Sequence, residues 1–267
     1  MPKRRNFNLI FGCALAFAMI ALIVMGFFWT PYEPGAMSSA ERLQAPSAAH
    51  LLGTDNFGRD IFSRVLEGAG TTLLIAAATV AVGLVAGILI GAFTGYFGGW
   101  IDEVLMRVAD VITAFPSILM AMVLISLLGG GKYNIIIALS ILFVPSFARV
   151  VRSEFAKHKQ LDYVRAARLM GAGHLRIMFV HILPNVMPVV LSTLAIGFNN
   201  AVLAEASMSF LGIGVSVDEP SLGRMLSESQ SYLFGAPWYP LGAGVTIVLL
   251  ILGFGLISDG LGGRSDA

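Results

Sequence analysis

Charge is what this chain has least of. Asp, Glu, Lys and Arg make up 12% of its 267 residues, about half of the roughly 25% found in soluble domains. That shortage excludes a water-soluble fold and points to an integral membrane protein. A single cysteine, Cys13, excludes an internal disulfide and any cysteine-based metal centre. The four histidines, His50, His158, His174 and His181, all fall outside the apolar runs. An intramembrane hydrolase needs a base within reach of its nucleophile, and none is available there. A net charge of +1, without a basic stripe interleaved with aromatics, gives nucleic acid nothing to grip.

Apolar residues are plentiful instead. The chain is 57% hydrophobic, with 30 glycines and 11 prolines, and its mean hydropathy is +0.82. Membrane helices tolerate Gly and Pro where neighbours re-satisfy the backbone. The apolar runs predict an all-α membrane protein of six spans, at roughly 9–28, 71–95, 104–128, 134–151, 185–206 and 240–258. These form one domain over 1–267, with a core at 71–258, and no repeat or separate soluble module. Leu9 to Phe28 follows Lys3, Arg4 and Arg5 and ends in Trp29, Pro31 and Tyr32. It is longer than the 7–15 residues of a signal-peptide core and has an aromatic interfacial end, so it reads as an uncleaved anchor. The fourth run holds Pro145 and is short; it reaches crossing length if Arg149 and Arg152 snorkel to the interface.

The positive-inside rule sets the expected orientation. With the amino terminus inside (1–8 as a cytoplasmic tail), the inner ends hold Lys3, Arg4, Arg5, Arg107, Arg149, Arg152, Lys157, Lys159, Arg165, Arg168, Arg176 and Arg264, or 12 of 17 basic residues. Arg42, Arg59, Arg64, Lys132 and Arg224 stay outside, so both termini are expected in the cytoplasm. The outer loop 29–70 is too long for a mere connector. Within it, Gly53, Asp55 and Gly58 suggest a turn, and Arg59 to Glu67 suggests an amphipathic helix lying at the membrane face.

Between the fourth and fifth spans lies a loop, 153–184, whose segment from Asp162 to Pro184 is charged, helix-forming and too polar for hydrocarbon. Asp162 suits an N-cap, Tyr163 to Met170 a two-turn helix, and Gly171 a left-handed C-cap. A second short helix fits His174 to Leu183, with the next span opening after Pro184. Ala166 and Ala167 form a small-residue patch flanked by Arg165 and Arg168, which suits docking to a partner with acidic groups. An ordinary solvated loop fits the same periodicity.

At these residues the chain resembles ATP-binding-cassette (ABC) importer permeases. Ala166-Ala167, Gly171 and Leu183-Pro184 are similar to that family's cytoplasmic loop; Arg165 stands where the pattern has Glu, and His181 where it has Ile. The likeness extends to Gly53-Thr54-Asp55 with Gly58-Arg59-Asp60 and Ser63-Arg64, and to Met106 through Asp110 with Phe115-Pro116. It continues at Glu205-Ala206-Ser207 with Ser209 through Gly212, at Ala236-Pro237-Trp238, and at Asp259-Gly260-Leu261. Together these resemble the second permease subunit of dipeptide, oligopeptide and nickel importers.

The resemblance implies the type I importer permease fold in a bacterial or archaeal plasma (inner) membrane. It implies a heterodimer with a homologous permease, two cytoplasmic ATPase subunits and an extracytoplasmic solute-binding protein. ATP and magnesium would be bound by the ATPases; no cofactor or metal is expected on this chain. The loop would act as a coupling helix through Asp162, Tyr163, Arg165, Ala166, Ala167, Arg168, Gly171, Leu183 and Pro184. The expected cargo is di- or oligopeptide, with nickel, a metal–chelator complex or glutathione as alternatives. Outer loops around His50–Glu67 and Val215–Pro240 would receive the binding protein. Within the spans, Asn199 and Asn200 are candidates for lining the pathway or for hydrogen bonds between helices, Arg107 and Asp110 for a mutual i,i+3 pair, and Glu205 for the pathway, for such hydrogen bonds or for reaching the outer interface. A stand-alone ion-driven carrier is the rival reading, although its usual pair of broken helices in two repeats is not visible.

Overall fold

The computed structural model describes residues 2–216 and 218–262, with side chains from 8 to 216 and 218 to 260. Lys3, Arg4, Arg5, Leu261 and Arg264 therefore lie outside the residues whose side chains are described. The described chain is helical, with a lone β-bridge between Thr54 and Asp60. Five helices are long and apolar enough to cross a membrane: α1 (Pro2–Phe28), α2 (Ile61–Phe97), α5 (Lys132–His158), α8 (Leu183–Phe210, continuous with the turns before it) and α10 (Trp238–Gly262).

The third expected span, 104–128, is not a straight rod. It is a pair, α3 (Gly99–Ala114) and α4 (Ser117–Leu128), bent by 96°. The break falls at Phe115-Pro116: proline pushes the preceding residue out of the helical region, and Phe115 is extended at φ −92°, ψ 145°. Neither piece reaches the ~30 Å of a bilayer core by itself. Two ion pairs, Arg152 to Asp102 and Arg149 to Asp110 at 3.0 Å, tie α3 to α5. Asp110 thus pairs across helices rather than with Arg107, whose exposed side chain makes no ion pair among the described residues. A partner on another helix is free to sit opposite, whereas an i,i+3 pair gains only a few tenths of a kcal/mol on a helix surface.

The amphipathic stretch from Arg59 to Glu67 does not form a separate interfacial helix. From Ile61 it is the opening of α2, which runs unbroken for 37 residues, or about 55 Å at 1.5 Å per residue. Asp60 starts this helix; its carboxylate accepts the backbone N–H of Ser63 at 2.8 Å. Gly83, Gly87, Gly91 and Gly95 recur every fourth residue and form a smooth face against α5. A Cβ at Gly91 would lie 2.5 Å from the Ala148 carbonyl oxygen, and one at Gly95 2.5 Å from that of Arg152. Small residues let two membrane helices approach to backbone contact. Helix α1 packs likewise against α10, where Gly12, Gly253 and Gly260 meet Leu256, Ala16 and Leu9.

Candidate functional site

The segment from Asp162 to Pro184 folds as a docked hairpin. Its first helix, α6, spans Asp162–Leu169 and is preceded by Leu161 in extended conformation. Asp162 is therefore the first helical residue and not the N-cap. Its carboxylate, placed favourably in the first turn, instead accepts from Arg165 Nη1 at 3.2 Å. Gly171 has φ +83°. Its N–H bonds to the Arg168 carbonyl and that of Ala172 to the Ala167 carbonyl, both at 3.0 Å. This pair of bonds closes the orphan carbonyls of a helix end around a left-handed residue. No atom lies within 4 Å of a Cβ built on Gly171, so only its backbone angle demands glycine.

The two alanines separate. Ala167, with Val164, is buried in a cluster that includes Val151, Phe155, Ile177, Met178 and Ile182. Ala166 faces outward together with Tyr163, Leu169 (89% exposed) and Met170 (82%). The helix thus buries one edge and leaves an apolar edge bare between Arg165 and Arg168. Burial holds the Tyr163 hydroxyl above the ordinary phenol range. The hydroxyl lies 2.9 Å from His158 Nδ1.

After Gly173 the chain does not form a separate second helix. Residues His174–Arg176 (α7), the wider π-helical stretch Ile177–Ile182, and α8 make one rod from His174 to Phe210. Pro184, inside this rod, has no N–H to offer the preceding turn. The widened turns accommodate it, and Asn185 Nδ2 donates to the His181 carbonyl at 2.6 Å. At the base, Tyr96 at the end of α2 brings the pieces together. Its hydroxyl lies 2.9 Å from His174 Nδ1 and 3.4 Å from Arg168 Nη2. Arg168 donates to the Tyr96 oxygen, which also sits within hydrogen-bond reach of the imidazole.

A second polar centre occupies the opposite end. Asp55, Arg59, Arg64, Arg224, Glu228 and Tyr239 form one ion-pair cluster. Glu228 accepts from Arg59 and Arg64 at 3.1 and 3.0 Å, from Tyr239 at 3.2 Å and from Arg224 Nε at 3.0 Å. Asp55 takes Arg59 Nε at 2.6 Å and caps its own turn through the N–H groups of Phe57 and Arg59. Gly53 and Gly58, at φ +75° and +77°, shape that turn. Beside it, Asp60 accepts from His50 Nδ1 at 2.9 Å and from the Ser63 hydroxyl at 2.8 Å. The acid stands between histidine and serine, so His50 cannot activate Ser63 as a nucleophile. These side chains are buried, apart from Arg224 and Glu228 at about 20% exposure, and mutually engaged; they hold the loop before α2 onto α9 (Leu222–Ser229) and α10.

The third feature is a cavity of about 400 Å³ between α4, α5 and α8. Apolar residues such as Ile118, Leu139 and Phe143 line it, with Ser117, Ser146, Asn200 and Ser207 as its polar groups. Asn199 faces away, with its Nδ2 beside Gly255 of α10, so the two asparagines do not share a surface. Glu205 reaches no interface. It is fully buried near α9, with Oε1 accepting from Ser209 at 2.7 Å.

Residues 87–267 match the model of binding-protein-dependent transport system inner membrane components. The chain belongs to this family. The permease is 38% identical over 258 residues to the dipeptide transport system permease protein DppC of Alkalihalophilus pseudofirmus, covering 97% of this chain and 85% of the relative. Identity is 37% to the glutathione transport system permease protein GsiD of Pectobacterium atrosepticum, over 93% and 84% of the two chains. It is 36% to the nickel transport system permease protein NikC of Escherichia coli, over 93% and 90%. Among solved structures, an inward-facing conformation of the MetNI methionine ABC transporter matches with a TM-score of 0.59 at 18% identity, covering 71% of this chain and 91% of that one. The fold is accordingly that of a type I ABC importer permease. The permease is a transport component, and ATP hydrolysis in such a system belongs to separate subunits.

Two groups went unnoticed in the sequence. The glycine face of α2 was visible as an i,i+4 repeat. Glu228 offered only an i,i+4 pair with Arg224 locally; its partners Arg59 and Arg64 lie more than 160 residues away.

Proposed function

We propose that this permease is one half of a heterodimeric, ATP-driven importer of di- or oligopeptides in a bacterial or archaeal plasma membrane, with both termini cytoplasmic. On this reading α6 is the coupling helix, and its bare apolar edge seats in a cytoplasmic ATPase subunit. That edge, Tyr163, Ala166, Leu169 and Met170 beside Arg165 and Arg168, is the observation that carries the proposal. Closure of two ATPases around ATP and magnesium would push α6. The buried contacts of Val164 and Ala167 would pass the displacement to the rod carrying Leu183 and Pro184, biasing a two-state equilibrium of the bundle. An extracytoplasmic solute-binding protein would deliver the cargo to the opposite face, at exposed residues such as Leu51, Phe57 and Phe234. Asn200 would line the path; Asn199, turned toward α10, would contribute packing instead.

Two substitutions test the coupling. Ala166→Trp adds bulk where this chain offers no neighbour, so the subunit should insert and assemble normally while uptake by the reconstituted transporter falls about tenfold or more. Gly171→Val forces a β-branched residue to φ +83°, a strain of roughly 1–2 kcal/mol or more. It should splay the end of α6 and abolish transport without loss of the inserted chain. Uptake near the unmodified level in either variant contradicts the assignment.

The glutathione and nickel relatives support a second reading, in which the same machinery carries a small thiol peptide, nickel or a metal–chelator complex. Uptake assays with labelled dipeptide and with nickel in proteoliposomes containing the complete transporter distinguish the two.

A further inference from the structure

The cavity between α4, α5 and α8 has no charged side chain in its wall. On α5 its lining residues Leu139, Leu142, Phe143 and Ser146 follow a helical stripe, and the next residue on that stripe is Arg149. Arg149 lies about 14 Å from the α6 end of its helix and about 26 Å from the other, at 1.5 Å per residue. Nevertheless its side chain is 44% exposed and that of its partner Asp110 is 61% exposed. Facing hydrocarbon, an ionic pair so open would carry a large cost. The pair thus stands open at the end of the stripe that lines the cavity on α5.

The two pairs between α3 and α5 differ in kind. Arg152 engages Asp102 with two nitrogens on two oxygens, and Asp102 is largely covered. That is a closed tie. Arg149 uses one nitrogen, Nη2, for Asp110 Oδ1 at 3.0 Å, the Thr113 hydroxyl at 2.6 Å and the Ala109 carbonyl at 3.4 Å. Its Nε and Nη1, and Asp110 Oδ2, make no hydrogen bond among the described residues. Open donors and an open acceptor therefore stand side by side just beyond the uncharged cavity. The nearest other charge on α3 is Arg107, one turn earlier.

We propose that Arg149 and Asp110 form a recognition site for the charged termini of a zwitterionic peptide in transit, a role that rests on the peptide-import reading above. The carboxylate of the peptide takes the free nitrogens of Arg149, and its ammonium takes the free oxygen of Asp110. The termini of an extended dipeptide lie roughly 7 Å apart, so they engage in succession as the peptide passes. Each contact adds to the Arg149–Asp110 pair without breaking it, so neither side chain is left as a lone charge when the peptide moves on. A lone arginine or a lone aspartate at this depth would trap one terminus and repel the other.

The test uses the complete reconstituted transporter with its binding protein. Uptake of a free dipeptide is compared with that of its C-terminal amide and its N-acetyl derivative. Each value is divided by the unsubstituted transporter's uptake of the same compound, which cancels the selectivity of the binding protein. Arg149→Gln should lower this normalised ratio of free dipeptide to amide about tenfold, the scale of a charge-assisted hydrogen bond. Asp110→Asn should do the same for free dipeptide against the N-acetyl form. Arg152→Gln, which breaks only the closed tie, should change all three compounds alike. Equal losses for every compound in Arg149→Gln and Asp110→Asn would reduce the pair to a structural tie and overturn the proposal. If Arg149→Gln does not assemble, Arg149→Lys must still shift the free-to-amide ratio, and an unchanged ratio overturns it equally. Failure of the unsubstituted transporter to take up any peptide would instead sink the peptide reading.

Discussion

Replacing Gly91 by leucine should prevent the permease from assembling. The Cβ alone would sit 2.5 Å from the Ala148 carbonyl oxygen, 2.7 Å from Val151 Cβ and 2.9 Å from the Arg152 nitrogen. Two of those three atoms are backbone, so no rotamer change relieves the overlap. Over-packing commonly costs about 1–3 kcal/mol where side chains can yield, and here the helices themselves must part. Parting α2 from α5 opens the buried cluster beneath α6, including Tyr96, Val151 and Phe155. The expected result is loss of monodisperse complex in detergent, read by size-exclusion chromatography and thermal unfolding. Gly235→Leu is the control, because nothing lies within 4 Å of its Cβ; it should stay within about 0.5 kcal/mol of the unsubstituted chain. A Gly91→Leu permease of normal yield and melting temperature would refute the close α2–α5 approach.

Glu228→Ala should be nearly as damaging by a different route. One carboxylate serves Arg59, Arg64 and Arg224 and accepts from Tyr239. Removing it leaves Asp55 as the remaining acid of the cluster for Arg59 and for Arg64, whose Nε is 3.6 Å from Asp55 Oδ2. Both guanidiniums are largely buried. Breaking a buried ion pair by deleting one partner costs about 3–5 kcal/mol, because an uncompensated charge stays behind. The loop before α2 should then come loose from α9 and α10, seen as faster proteolysis between residues 29 and 60 and a lower melting temperature. Glu228→Gln keeps acceptors without charge and should fall between the two. Unchanged protease resistance in Glu228→Ala would show that the loop is held by something else.

The sequence made the membrane helices legible because apolar length is a local property. Leu9–Phe28 and the run ending near 258 needed only counting. The left-handed cap at Gly171 was equally local, since glycine after two helical turns has few other uses. Direction and partnership were not local. Phe115-Pro116 announces a break, yet composition over 104–128 gives no angle, and the span turned out to bend by 96°. Arg59–Glu67 is amphipathic whether it lies on a membrane or opens a long helix packed on one side, and it opens α2. Asp110 had a basic residue three places away, but its partner came from another helix 39 residues on. Ala166 and Ala167 are adjacent in the chain, and only the packing of α6 decides that Ala167 turns inward while Ala166 stays out.

The rod from His174 to Phe210 is 37 residues, or about 55 Å of helix. It begins beside α6 and carries Asn200 and Ser207 of the cavity near its far end. Such a shaft works as a lever: a tilt of about 10° at one tip swings the other by about 10 Å, given that length. If α6 couples as proposed, a modest push on it would become a molecule-sized opening. The loosely wound turns at Ile177–Ile182 sit at its foot, where a bearing would be placed.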